Sequence, residues 1–387
     1  MNFNKNYTYG KQSISIRDIW AVIKTLRSPW LTQGPKIKEF EKAICDYTGA
    51  KYCVALSNAT VALHVSLLAL NIKIDSEVIT SPNTFVASAN AILYVGGTVK
   101  FADIEKDTAN IDPEEIKKQI TKNTKAIIPV HFAGQSCDME KIYGIAKQHN
   151  LFIIEDAAHA IGSLYKNHKV GSCKFCDMTI FSFHPVKTIT TAEGGAITTN
   201  NKNLYEKLLL LRTHGITKNS EKFQDKSIEN HGPWYYEQHL LGYNFRLSDI
   251  HAALGISQLK RLDKFKEKRK KIVGIYKQEF SGDPRFEFLE EKEFSDAAFH
   301  LCPLLINFEK IKITKKELFA KLQEYNINLQ VHYIPVHTQP YYKNIGFKIG
   351  DYPVAEKFYD QEISLPLYPD LSYKDVKKII KIIKDLC

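Results

Sequence analysis

The sequence predicts an α/β protein: a mostly parallel sheet covered by helices, with a smaller C-terminal α+β domain. Three observations predict this. Short apolar, β-branched runs alternate with helical patterns through the first two thirds of the 387 residues. Polar residues able to do chemistry fall where those runs end, and in open parallel sheets ligands gather at the carboxyl ends of strands. Beyond about residue 266 the alternation stops, and a separate set of helices and strands follows. The expected division is 1–265 for a large domain and 266–387 for a small one.

Two amphipathic helices are expected over 13–27 and 35–48, joined by "SPWLTQGPK". "YCVALS" (52–57) reads as a strand leading into the helix "NATVALHVSLLAL", and "EVITS" (77–81) as a strand before "NTFVASANAILYV". "TVKFADI" (98–104) precedes a helix from Asp112-Pro113 to about residue 121. "KAIIPVHF" (125–132) precedes a helix near 137–149. "LFIIEDAA" (151–158), "DMTIFSF" (177–183) and "GAITT" (195–199) complete the strands. Residues 216–241 are polar and irregular, and their length marks a functional loop. A helix restarts in 241–259, with Ser248 and Asp249 near its N-terminus. A strand over 298–306, a helix over 314–326, a strand near 327–333 and a final helix over 372–386 make up the small domain.

Composition excludes several classes. Hydrophobic residues are 44% and charged residues 25%, as in globular proteins with a full core. No apolar run reaches the ~18 residues of a membrane span, and "MNFNKNYTYGKQ" is not an apolar signal, so a cytoplasmic location is the expectation. Seven cysteines make a disulfide framework unexpected. Cys173-x-x-Cys176 lacks the second ligand pair of a zinc site, so no metal is expected. The net charge of +10 suits a phosphate-bearing substrate. The densest basic stretch, 259–277, carries Leu259, Leu262, Phe265, Ile272 and Ile275 at helical spacing and reads as a helix with a solvated basic face, not a nucleic-acid stripe.

The informative stretch is "FSFHPVKTITTAEGG" (181–195). Lys187 lies between a strand and a glycine pair. A lysine becomes a nucleophile or base when a pocket desolvates it or when it is covalently engaged with a carbonyl. Asp156 ends "LFIIED". It is either a helix N-cap or the counter-ion of a protonated ring nitrogen, the arrangement a pyridoxal phosphate enzyme requires. Ser57, Asn58, Ala59 and Thr60 open a helix whose free N–H groups suit a phosphate, and Ser182 could add a hydroxyl. Phe85 is either core or a stacking surface. Together these residues offer one cofactor a handle, a ring partner, a stacking face and an anchor.

"EDAAHAIGS" followed by "FSFHPVKTITTAEGG" resembles the DegT/DnrJ/EryC1/StrS family of sugar aminotransferases, pyridoxal phosphate enzymes of fold type I. "WLTQGPKIKEFEKAI" (30–44), "SNATVALH" (57–64), "PNTFVASANAI" (82–92), "LGYNFRLSDIHAALGISQL" (241–259), "QVHYIP" (330–335) and "ISLPLYP" (363–369) match in order, so the resemblance covers nearly the whole chain. Within the family the chain is most similar to transaminases of pseudaminic acid synthesis, which aminate a UDP-linked 4-keto-6-deoxy sugar with L-glutamate as the implied donor. The resemblance implies Lys187 as covalent anchor and proton carrier, and Asp156 as partner of the ring nitrogen. It implies Ala59, Thr60 and Ser182 on the phosphate, with His159 and Phe85 flanking the ring. Asn244 would reach the phosphate across a homodimer interface. Tyr9, Trp30, Leu31, Thr32, Asn58, Gln330, Val331, His332 and Tyr333 would line the sugar-nucleotide pocket, and Arg246 is assigned to the diphosphate on charge alone. A dehydrating branch of the family has histidine in place of the lysine; Lys187 favours transamination.

Three other readings compete: a transaminase for another nucleotide-linked keto-sugar, a non-catalytic ligand-binding member of the fold, and a nucleic-acid binder. Intact Lys187 and Asp156 disfavour the second, and the dispersed lysines disfavour the third.

Overall fold

A computed structural model describes residues 5–225 and 232–387. The sequence-predicted loop 216–241 therefore lies partly outside the described residues; within it Ile216–Thr217 pairs with Glu237–Gln238.

Seven strands form the central sheet: β1 Tyr52–Leu56, β2 Glu77–Thr80, β3 Thr98–Phe101, β4 Thr124–Ile128, β5 Phe152–Asp156, β6 Met178–Ser182 and β7 Gly195–Thr199. Their order across the sheet is β1-β7-β6-β5-β4-β2-β3. Only β7 runs against its neighbours, with Gly195 opposite both Leu56 and Ser182. The carboxyl ends of the other six strands and the start of β7 therefore share one edge of the sheet. That register brings Asp156, Ser182 and Gly195 together.

The strands are apolar on both faces because helices cover both faces. Side chains alternate across β1. Val54 and Leu56 pack with the cluster that includes Leu63, Ala89 and Leu208, from helices α3 (Ala59–Ala69), α4 (Ala87–Tyr94) and, further along the chain, Lys202–Arg212. Cys53 and Ala55 face Phe40, Ile44 and Ala252 on the other side, from Pro35–Thr48 and Asp249–Leu259. Helix α1 (Ile16–Leu26) begins at a capping box of Ser15 and Asp18, and Pro35–Thr48 is α2.

The later elements build a second apolar cluster. Strands β8 (Phe286–Phe288), β9 (Pro303–Ile306) and β10 (Glu362–Ser364) form an antiparallel sheet in that order. The helix Tyr373–Leu386 lays Val376, Ile379, Ile380 and Ile383 onto that cluster, the stripe expected of an amphipathic helix. Tyr7, from the N-terminal segment, joins the same cluster, and Tyr7–Thr8 pairs with Ile327–Asn328.

Several expectations are corrected. The helix expected to run through 259–277 breaks after Leu259 and resumes as Leu262–Phe280. Its basic face is not wholly solvated. Arg269 is fully buried, and its Nη1 donates to the carbonyls of His300 (3.2 Å) and Leu367 (2.9 Å). The strand expected over 298–306 covers only Pro303–Ile306. The segment before it is irregular and turns His300 toward the sheet edge. The strand expected over 327–333 covers only Ile327–Asn328, leaving 330–333 free to line the cavity. No described helix is long and apolar enough to cross a membrane.

Candidate active site

A cavity of about 390 Å³ opens at the carboxyl edge of the sheet. Strand ends, two helix starts and the segment 330–333 form its walls. Asp156, at the end of β5, is buried in its floor. Its main chain is clamped to the extension of β4: its N–H donates to the Pro129 carbonyl (2.9 Å), and its own carbonyl accepts from the His131 N–H (3.1 Å). The carboxylate accepts from Ser88 Oγ at 2.7 Å and from the Ala158 N–H at 3.1 Å. Ser88 Oγ lies 2.8 Å from Thr84 Oγ1. A hydroxyl has one proton, and Ser88 commits its own to Asp156, so Thr84 donates to Ser88. The residues after Asp156 form turns, so it is not a helix N-cap.

Lys187 follows β6 across the tight turn His184–Lys187, where the Lys187 N–H donates to the His184 carbonyl (2.9 Å). Lys187 is mostly buried and lines the cavity. Desolvation pulls the amine from the ordinary lysine value to about 8, with the Asp156 charge opposing. Lys187 Nζ is 3.4 Å from His300 Nε2. His300 and His159 are buried with ring centroids 4.5 Å apart. Burial, reinforced by Lys187, holds both well below the usual imidazole range, so both are neutral. His159 Nε2 is 2.9 Å from the Tyr333 hydroxyl, whose pKa burial raises, so the phenol keeps its proton and donates.

Helix α3 starts at the opposite wall. Asn58 caps it through Oδ1, which accepts from the Val61 N–H at 3.0 Å. The N–H groups of Ala59 and Thr60, in the first turn, have no intrahelical acceptor. Ser182, buried at the end of β6, lines the same cavity. Gly195 explains one of the glycines after Lys187. A Cβ there would stand 2.5 Å from the Asn58 carbonyl carbon and 2.7 Å from the Ala59 nitrogen, so only glycine lets β7 press against the start of α3.

Of the sequence-predicted site residues, Lys187, Asp156, Ala59, Thr60, Asn58, His159, Ser182, Tyr9, Phe85, Gln330, Val331, His332 and Tyr333 line the cavity. Phe85 stands at its rim, 59% exposed and 6.3 Å from the Tyr333 ring. Five residues do not line the cavity of their own chain: Trp30, Leu31, Thr32, Asn244 and Arg246. Thr32 bridges to Ser248, Asn244 to Thr213 and Arg246 to Leu56, all through the main chain. Trp30 is 54% exposed. Sequence reasoning missed Ser88 and His300. Ser88 could have been found as the i+4 partner of Thr84 in the helix after β2. His300 was hidden inside an expected strand.

These features fit pyridoxal phosphate. They comprise a desolvated amine, a buried carboxylate, a helix start with free N–H groups beside a serine hydroxyl, and a close backbone approach that only glycine permits. A fold type I transferase is the class that this sheet and cavity define. The family model for DegT/DnrJ/EryC1/StrS aminotransferases matches residues 12–384, and the chain belongs to that family. It is 43% identical to the UDP-4-amino-4,6-dideoxy-N-acetyl-beta-L-altrosamine transaminase of Campylobacter jejuni, over 96% of this chain and 94% of that protein. It is 42% identical to the spore coat polysaccharide biosynthesis protein SpsC of Bacillus subtilis, over 98% and 96%. Among solved structures, Helicobacter pylori PseC, an aminotransferase of pseudaminic acid biosynthesis, superposes with a TM-score of 0.90 at 35% identity, covering 99% of both chains. Streptococcus pneumoniae Spr1654, solved in PMP and PLP forms, superposes with TM-scores of 0.90 and 0.89 at 34% and 33% identity, covering 99% of this chain and 99% and 98% of those. The protein is a pyridoxal phosphate-dependent sugar aminotransferase.

Proposed function

We propose that the enzyme moves an amino group from L-glutamate to C4 of a UDP-linked 4-keto-6-deoxy-N-acetylhexose of L-altro configuration, as in pseudaminic acid synthesis. Support for the substrate comes from the similarity to the Campylobacter and Helicobacter enzymes. Support for the chemistry comes from one observation, the placing of Lys187 and the buried carboxylate of Asp156 on the same cavity at the carboxyl edge of the sheet.

Pyridoxal phosphate, when bound, supplies the aldehyde that carries the amino group and a ring that accepts electron density. Lys187 would hold the cofactor through its Nζ, and when that amine is free and neutral it would be the base placed to take the proton from Cα of glutamate and to return it as the acid on the sugar side. Asp156, its carboxylate oriented by Ser88 and the Ala158 N–H, would pair with the ring nitrogen. Ala59, Thr60 and Ser182 would hold the phosphate. His159, fixed by Tyr333, would pack against the ring. Tyr9, Asn58 and the run Gln330 to Tyr333 face the sugar.

Trp30, Leu31, Thr32, Asn244 and Arg246 act in the site of a second copy. Ile16, Ile19, Trp20, Trp30 and Leu31 are each exposed on this chain, as apolar side chains that a homodimer would cover are expected to be. A division into a large and a small domain near residue 265, inside the helix Leu262–Phe280, is part of the same proposal.

The test is to incubate the enzyme with glutamate and a panel of UDP- and dTDP-linked 4-keto-6-deoxy sugars and to identify the aminated product. Preferred amination of the L-altro UDP sugar supports the proposal. The comparable identity to SpsC favours a second reading, another nucleotide-linked 4-keto sugar. Preferential turnover of a non-altro or dTDP sugar would establish it.

A further inference from the structure

His332 sits at the cavity wall with its Nδ1 turned away from the cavity, toward β10. Nδ1 lies 2.8 Å from Ser364 Oγ, and Ser364 Oγ donates to Glu362 Oε1 at 2.5 Å. The other carboxylate oxygen of Glu362 accepts from the His332 main-chain N–H at 2.9 Å. Glu362 and Ser364 are completely buried, and His332 nearly so. The strand holds this line straight: Ser364 pairs with Pro303, and its N–H donates to the Gln330 carbonyl at 2.8 Å. The second nitrogen of His332, Nε2, makes no hydrogen bond among the described residues, and the residue lines the cavity that holds Lys187.

The polarity of this chain follows from counting protons. Ser364 has a single hydroxyl proton and gives it to Glu362, so its oxygen can only accept from His332. Nδ1 therefore carries the imidazole proton, and Nε2 offers a lone pair to the cavity. If Glu362 gains a proton, every link reverses. The carboxyl donates to Ser364, Ser364 donates to Nδ1, and the imidazole proton stands on Nε2. The two states differ by one proton. Equivalently, a proton arriving at Nε2 is matched by Nδ1 passing its proton to Ser364 and Ser364 passing its own to Glu362.

We infer that Glu362 and Ser364 are positioning residues of the transaminase, forming a relay that sets which nitrogen of His332 is protonated and that takes up one proton from the cavity. The relay makes a buried imidazole useful. Burial and the facing Lys187 hold His332 at about 3, so it would not keep a proton of its own. Burial raises Glu362 to about 8, with Ser364, the His332 N–H and Lys315 opposing, so the proton finds a stable resting place at the far end. The groups facing Glu362 are Lys315, itself near Asp360, together with Cys302 and Tyr333. Those facing His332 are Lys187, His159, His300 and Tyr9. Lys187 faces His332 from the cavity side, and Lys315, beside Glu362, is likewise drawn down to about 8 by burial.

The kinetic part of the test rests on the transaminase reading; the spectroscopic part does not. Histidine-selective 15N NMR of the holoenzyme, with His332 assigned by its loss in His332→Gln, reports the tautomer directly. Expected is a neutral Nδ1–H form at high pH that converts to a neutral Nε2–H form as Glu362 takes up its proton, without an imidazolium stage. An Nε2–H form at every pH, or an imidazolium transition near the ordinary value of about 6.5, overturns the relay. Ser364→Ala should abolish the conversion and slow the glutamate half-reaction about tenfold with KM little changed, and Ser364→Thr should restore both. A threonine variant no better than alanine, or an alanine variant with wild-type tautomers and pH profile, overturns the inference. Should Ser364→Ala fail to fold, the wild-type spectrum decides alone. If the sugar assignment is wrong, the half-reaction and the spectrum are unaffected, so the two failures are distinguishable.

Discussion

Gly195→Ala tests the placement of the cofactor phosphate. The added methyl would lie 2.5 Å from the Asn58 carbonyl carbon, 2.6 Å from its oxygen and 2.7 Å from the Ala59 nitrogen. β7 cannot retreat, because Gly195 is paired with Leu56 on one side and Ser182 on the other. The start of α3 must therefore move by about 0.5 Å to reach the shortest tolerable contact of 3.0 Å. Overpacking of this kind costs about 1–3 kcal/mol. The same shift moves the N–H groups of Ala59 and Thr60 away from the phosphate. Losing one hydrogen bond to a charged group costs about 1.5–3 kcal/mol, which is roughly tenfold or more in affinity. The assay is titration of pyridoxal phosphate into cofactor-free protein by absorbance, alongside thermal unfolding of the same protein. Gly144→Ala is the control: nothing lies within 4 Å of its added methyl, and it sits inside the helix Met139–His149, so it should stabilise by about 0.5–1 kcal/mol. If Gly195→Ala binds cofactor as tightly as wild type, the phosphate is not held at the start of α3.

Other outcomes follow from the same geometry. Asp156→Ala should slow the glutamate half-reaction by at least about a hundredfold, the scale of electrostatic stabilisation by one group, while thermal unfolding changes much less; stopped-flow bleaching of the cofactor measures it. Ser88→Ala removes the 2.7 Å donor to Asp156 and should slow the same reaction about tenfold without loss of bound cofactor. In cofactor-free protein the Lys187 amine is neutral above about 8, so its labelling by an amine-directed reagent should rise as pH increases through that value, below the range of exposed lysines. Mass spectrometry of the Lys187 peptide across pH reads this out, and an ordinary lysine midpoint would contradict the desolvated placement.

Much of the large sheet was legible because its strands are buried on both faces and read as continuous β-branched runs. Asp156, Ser182 and Lys187 were legible for a related reason: each is a polar residue at the end of such a run, and strand ends converge. Ser88 and His300 were not. Ser88 lies on a helix whose approach to Asp156 is set by packing. His300 lies in an irregular segment held by Arg269, a buried cation that periodicity assigned to solvent. A hydropathy pattern cannot distinguish a basic residue facing water from one that satisfies buried carbonyls. The C-terminal strands are short, and they proved harder to bound than the long runs of the large sheet. Trp30, Leu31, Thr32, Asn244 and Arg246 came from resemblance alone, and their own chain places them outside its cavity.

The central claim is that Lys187 alone holds the cofactor covalently. Borohydride reduction of the pyridoxal phosphate-loaded enzyme, followed by proteolysis and peptide mass mapping, tests it. One phosphopyridoxyl group per chain is expected, on Lys187, and none in Lys187→Ala. A modified lysine elsewhere, or a protein that binds the cofactor with no reducible bond, would contradict it.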